Sequence, residues 1–139
     1  MGYFLAKTDP ETYSLDDLIR EKKTTWDGVT NAQAVRAIRE MKPGDRVFIY
    51  HSGGVSGVVG LATVRSEART DPGNPKSAVA ELEFTERLDP PTSLAEIKQS
   101  GLFDDWALVR QGRLSTMAAP EKFVAWMRQR YPQAARHLS

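Results

Sequence analysis

The chain has 139 residues, 40% of them hydrophobic and 27% charged, a size and balance that suit one globular domain and exclude the fibrous and disordered classes. Lys and Arg number 19 against 18 Asp and Glu, a formal net charge of +1, so the chain does not coat phosphates indiscriminately and any nucleic-acid contact must be local. The absence of cysteine removes disulfides, thiolate nucleophiles and Cys-type metal centres together, and His51 and His137 are the two imidazoles.

Tyr3–Lys7 is a β-prone apolar run stopped by Asp9-Pro10. It is too short before Lys7 for a signal or membrane segment, and Lys7 argues against an N-terminal lipid anchor, which predicts a cytoplasmic protein. Ser14, with Asp17 three residues on and Leu15, Leu18 and Ile19 sharing a face, predicts a capped helix to about Glu21. Residues 24–29 read as a loop. Asn31 caps a second helix over 32–41, striped by Ala34, Ile38 and Met41 and ended by Lys42-Pro43-Gly44-Asp45. Arg46–His51 and Gly57–Val64 then form a hairpin across Ser52-Gly53-Gly54.

Thr70–Ser77, interrupted by Pro72, Gly73 and Pro75, is expected to be irregular, whereas Ala78–Phe84 alternates apolar with acidic side chains as a half-wet strand does. Ser93 caps a short helix to about Ser100. Pro120 opens a longer one to Arg130, with Phe123, Val124, Trp126 and Met127 as its apolar face. Strands without regular crossover helices point to an α+β fold, a mixed and mostly antiparallel β-barrel flanked by short helices. One domain is expected over residues 1–131, followed by a C-terminal tail, 132–139.

Enzyme signatures are missing: no phosphate-loop, dinucleotide, zincin or nucleophile-elbow motif occurs. Gly54, Gly57 and Gly60 recur within a hairpin, which suits a bent strand better than a phosphate cradle. A hydrolase built on Asp27, His51 and Ser52 is awkward, because adjacent strand residues point to opposite faces. Two distant histidines do not make a metal site. The charge is uneven: residues 1–106 hold 13 basic and 17 acidic side chains, whereas 107–139 hold 6 and 1. Arg110, Arg113, Arg128 and Arg130 in that basic segment are candidate phosphate contacts, weighed against a plain solvated helix face.

The segment Thr24-Thr25-Trp26-Asp27-Gly28-Val29 with Asn31 is the most informative. A tryptophan there either plugs the mouth of a barrel or, flanked by Asp27 and Asn31, offers a stacking face with hydrogen bonds for an unstacked base. Taken with Tyr3–Pro10, Met41–Asp45, Ile49-Tyr50-His51-Ser52, Val58–Ala62 and Arg113-Leu114-Ser115, in that order, this segment resembles the EVE domain family, of the PUA-like superfamily and related to YTH domains. The resemblance runs from residue 3 to about 130.

The resemblance implies a non-enzymatic pocket for a modified base, 5-methylcytosine or its oxidised forms, in DNA or RNA, with no cofactor, no metal and no membrane partner. In it Trp26 stacks on the base, Lys7 and Thr8 line the pocket, and Pro10 shapes the turn. Asn31, Tyr50, His51 and Ser52 form the walls, and Leu114-Ser115 close it. Ala32 stands where the family has an aromatic residue and Val35 where it has arginine, so Arg36 is the candidate to restore that charge as a phosphate contact. A monomer is the favoured state. The alternatives carried forward are a small-molecule or protein-interaction module of the same fold and a nucleotide-directed hydrolase using His51.

Overall fold

A computed structural model describes residues 2–54 and 56–138. In β1 (Tyr3–Thr8) the apolar run Phe4-Leu5-Ala6 is buried, and the strand lies parallel to β3 (Arg46–His51), Tyr3 opposite Arg46 and Thr8 opposite His51. A parallel pair needs a long crossover. Here it carries α1 (Leu15–Glu21), β2 (Lys23–Trp26) and α2 (Ala32–Arg39). Both helices start on the predicted caps. Ser14 and Asp17 exchange the two hydrogen bonds of a capping box, and Asn31 Oδ1 accepts from the Gln33 and Ala34 amides.

The predicted hairpin joins β3 to β4 (Gly57–Val64), and β6 (Asn74–Ser93) pairs antiparallel with β4. With β2 on β6 and β7 (Thr116–Ala118) antiparallel to β1, the strand order is β2-β6-β4-β3-β1-β7, and β5 (Arg69–Asp71) adds to β6. On the flanks lie α3 (Leu94–Gln99), capped by Ser93 as predicted, α4 (Ala107–Arg110) and α5 (Glu121–Arg130). The α5 ring of Phe123 is fully buried between Phe48, Phe103 and Trp106.

Several expectations change. Residues 24–26 are strand rather than loop: Thr24, Thr25 and Trp26 are β-prone, and β6 offers them an edge on which Trp26 faces Ala80. The stretch 70–77 is ordered as a tight hairpin, with Pro72 and Gly73 filling its turn and Asp71 Oδ1 accepting from the Gly73 amide at 2.8 Å. β6 runs for 20 residues rather than over 78–84, and its register against β4 shifts twice, which bends the ladder. α2 ends at Arg39, short of Met41. The short α4 and β7 have no periodic signal, and the stretch expected as a tail is, over Pro132–His137, a 3-10 turn with Ala134 and Leu138 buried.

The barrel expectation is corrected too. Among the described residues the two end strands, β2 and β7, do not pair, so the sheet is a large mixed one that curls without closing. α2 packs against both β6 and β7 across this gap.

Candidate functional site

The gap in the sheet is a cleft of about 480 Å³, within the roughly 300–1,000 Å³ of small-ligand sites. Lys7 and Thr8 from the end of β1 and Ser115 just before β7 form one side; Thr24, Thr25 and Trp26 from β2, followed by Asp27, form the other. Trp26 is 8% exposed, and its indole N–H has no acceptor among the described residues. The Tyr13 ring meets it edge-on, centroids 6.2 Å apart and planes at 83°, which fixes the indole plane. Tyr13 is itself held, its carbonyl accepting from Thr8 Oγ1 at 2.7 Å and its hydroxyl donating to Glu21 at 2.8 Å.

Lys7 is the cation of the cleft. Its amide donates to the Ser115 carbonyl at 2.7 Å and its Nζ to the Gly112 carbonyl at 2.9 Å, while Nζ sits 5.4 Å from the centre of the Tyr50 ring. Burial pulls its pKa below the usual lysine value, and no carboxylate among the described residues is paired with it. The 111–115 turn, which carries the exposed Arg113, is thereby tied to β1.

Of the predicted pocket residues, the structure brings Lys7, Thr8, Trp26 and Ser115 to this cleft. Asn31 spends its side-chain oxygen on the α2 cap, Tyr50 is buried beneath Lys7, and Pro10 packs against the Ser52–Gly54 turn. Leu114 faces a different cleft, behind the 114–116 segment. Sequence reasoning passed over Thr12 and Tyr13, whose place follows from the Asp9–Tyr13 turn: the Asp9 carbonyl accepts from both of their amides.

His51 is a structural residue here. Its Nε2 accepts the Leu15 amide at 3.0 Å, fixing the start of α1, and Ser52 Oγ donates to the Thr8 carbonyl at 3.3 Å. Those atoms are not arranged as a base and nucleophile with Asp27, which lies on the cleft wall. Burial lowers the pKa of His51, with Asp16 opposing and Arg87 reinforcing, and burial also lowers that of His137. The unfolded chain takes up these protons near pH 6.5 and the folded chain resists them, so this stability is complete above about 6.5 and is lost as pH falls through the lowered folded values. Urea midpoints between pH 7.5 and 5 are expected to decline on that limb, and His51→Gln to flatten it; a limb unchanged in the variant removes His51 as a contributor.

The predicted phosphate contacts divide. Arg128 donates to the Leu138 carbonyl at 2.7 Å, at the Tyr3–Arg46 end of β1, and Arg130 pairs with Glu96. Arg36, Arg110 and Arg113 are exposed and have no hydrogen bond or ion pair among the described residues; every other arginine has one. Among the described residues no group of three or more acidic or His side chains converges on a metal position, and no helix is long and apolar enough to cross a membrane.

Fold and site together define a small mixed α/β domain whose curled sheet opens, between its two end strands, on a tryptophan-walled cleft. The description of the EVE domain matches residues 2–130, and the chain belongs to the EVE domain family. It is 33% identical over 125 residues to thymocyte nuclear protein 1 of Rattus norvegicus, covering 70% of this chain and 55% of that one, so it spans about half the length of that relative. A Pseudomonas syringae protein of known crystal structure superposes with a TM-score of 0.82 at 31% identity, covering 92% of this chain and 99% of the other. The human THYN1 protein, solved in complex with 5-methylcytosine-containing DNA, shares the fold, with a TM-score of 0.83 at 24% identity and coverage of 91% and 95%.

Proposed function

We propose that this chain is a non-enzymatic nucleic-acid-binding domain whose cleft takes an unstacked, modified base of the 5-methylcytosine class from DNA or RNA. The observation that carries this reading is Trp26: a large indole, oriented by Tyr13, walls a cleft of base-accommodating volume, and its N–H has no acceptor among the described residues. Lys7, Thr8 and Ser115 supply polar contacts to the base edge, and Arg113, with Arg110 and Arg36 beyond it, contacts backbone phosphate. Membership in the EVE family supports the reading, as does the methylated DNA bound by the THYN1 protein.

Base stacking on an aromatic ring contributes about 1–3 kcal/mol, whereas one buried methyl group adds about 0.8 kcal/mol. The cleft therefore binds mainly through the ring and discriminates modestly. Fluorescence anisotropy at fixed salt is expected to show single-stranded oligonucleotides with one 5-methylcytosine binding roughly fourfold more tightly than unmodified ones. Equal affinity for methylated, hydroxymethylated and unmodified strands would remove the modified-base assignment, and no binding to any of them would remove nucleic acid as the partner.

A further inference from the structure

β2 is an end strand, and its register on β6 decides which of its main-chain groups are spent. In an antiparallel pair the hydrogen bonds fall on alternate residues, and the residues between them turn N–H and C=O to the opposite edge. The Phe84 amide donates to the Lys22 carbonyl at 2.8 Å, one step beyond Lys23 opposite Glu83. Thr24 and Trp26 therefore bond to β6, whereas Lys23 and Thr25 turn away from it. β6 agrees from its other side. Glu81, which stands opposite Thr25, accepts the Arg65 amide at 2.8 Å and donates its own amide to Ser66 Oγ at 3.0 Å, both away from β2.

The unpaired edge of β2 borders the gap in the sheet, and Thr25 lines the cleft there beside Trp26. Among the described residues no other group bonds to the Thr25 N–H or C=O. We infer that the main chain of Thr25 reads the Watson–Crick edge of the base that stacks on Trp26, its N–H donating to ring N3 and its C=O accepting from the 4-amino group, so that the cleft selects cytosine-type bases over thymine and uracil. The inference rests on the function proposed above.

An edge residue of a strand offers one donor and one acceptor side by side, an order no side-chain rotation reverses. Cytosine and 5-methylcytosine meet that pair with an amino donor beside a ring acceptor. Thymine carries the same methyl group on the same ring atom but has a carbonyl and a ring N–H in those places, so each main-chain group meets its like. The methyl pocket does not separate 5-methylcytosine from thymine; the strand edge does. Asp27, next along the same wall, presents a carboxylate that only accepts, which again favours the amino group. Stacking and edge recognition then come from adjacent residues of one strand, and the base's other edges are left to Lys7, Thr8 and Ser115 across the cleft.

Fluorescence anisotropy with short DNA strands that carry one base between abasic sites tests this, the base being 5-methylcytosine, cytosine or thymine and a wholly abasic strand serving as the blank. 5-Methylcytosine is expected to bind about 10- to 100-fold more tightly than thymine, two hydrogen bonds' worth, and cytosine also to exceed thymine despite lacking the methyl. Thr25→Pro removes the outward N–H and leaves the ladder bonds of Thr24 and Trp26, as an edge strand tolerates, and is expected to bring 5-methylcytosine down to within a few fold of thymine. Two base analogues put the same question to the unaltered protein: 5-methyl-2-pyrimidinone, without the amino group, and 3-deaza-5-methylcytosine, without the ring acceptor, are each expected to bind roughly three- to tenfold more weakly than 5-methylcytosine. Thymine bound as tightly as 5-methylcytosine, or analogues bound as tightly, overturns the main-chain readout and leaves a base in the cleft. A preference that Thr25→Val abolishes as fully as Thr25→Pro belongs to the hydroxyl and overturns it too. Strands with a base bound no better than the abasic blank remove the base cleft itself.

Discussion

Trp26→Ala is expected to lower affinity for a 5-methylcytosine oligonucleotide by about 10- to 100-fold, the equivalent of one lost base–aromatic stack. The same change deletes the edge-on contact with Tyr13 and most of a buried indole, so it also costs stability, about 3 kcal/mol or more for a truncation of this size. Trp26→Phe separates the two effects. It retains an aromatic face toward the cleft and a ring for Tyr13, and is expected to keep most of the affinity while losing the indole N–H. Salt titration separates them further. Phosphate contacts set the slope of log affinity against log salt, and base contacts set its height. Trp26→Ala should therefore displace the line without tilting it, whereas removal of Arg113 should tilt it. A folded Trp26→Ala protein, verified by circular dichroism, that binds as the parent does would end the case for a base in this cleft.

What the sequence made legible was what neighbouring residues decide among themselves. Ser14 with Asp17, and Asn31 with the two amides after it, announce helix starts within four residues, and the structure has both caps. Trp26 was conspicuous because a large aromatic among polar residues needs a reason. Lys7, Thr8 and Ser115 came from the family resemblance, and the structure gathers them beside it. Long-range pairings were not legible. Nothing in Lys23–Trp26 names Glu83–Ala80 as its partner strand, and nothing in Arg128 or Arg130 announces that the Leu138 carbonyl and Glu96 engage them. Asn31 and His51 show the same limit from the other side. Each is a polar residue near the right place whose hydrogen-bonding atom is spent on a helix start, and only the fold reveals which polar atoms remain for a ligand.

The largest effect on stability is expected from Phe123→Ala, and it reaches the cleft. Phe123 is fully buried, and its ring centroid lies 5.2 Å from Phe48, 5.3 Å from Phe103 and 4.6 Å from Trp106. Truncation removes those contacts and leaves a cavity that a close-packed ring cluster refills poorly, a loss of about 3–5 kcal/mol. For a domain whose whole stability is about 5–15 kcal/mol, that is roughly a fifth of the total or more, measurable as a lower urea midpoint with an unchanged slope. Phe123→Leu, which keeps much of the volume, is expected to cost less. The functional consequence follows from what the cluster holds down. Phe103 and Trp106 begin the 103–118 arm, Trp106 donates its indole N–H to the Ala118 carbonyl at 2.9 Å, and between them the arm presents Gly112 and Ser115 to Lys7. Loosening the cluster lets that arm move away from β1, so oligonucleotide affinity should fall in Phe123→Ala even though the residue touches neither cleft. An affinity that stays at the parent value while the urea midpoint drops would show instead that the two hydrogen bonds from Lys7 hold the arm in place without the aromatic cluster.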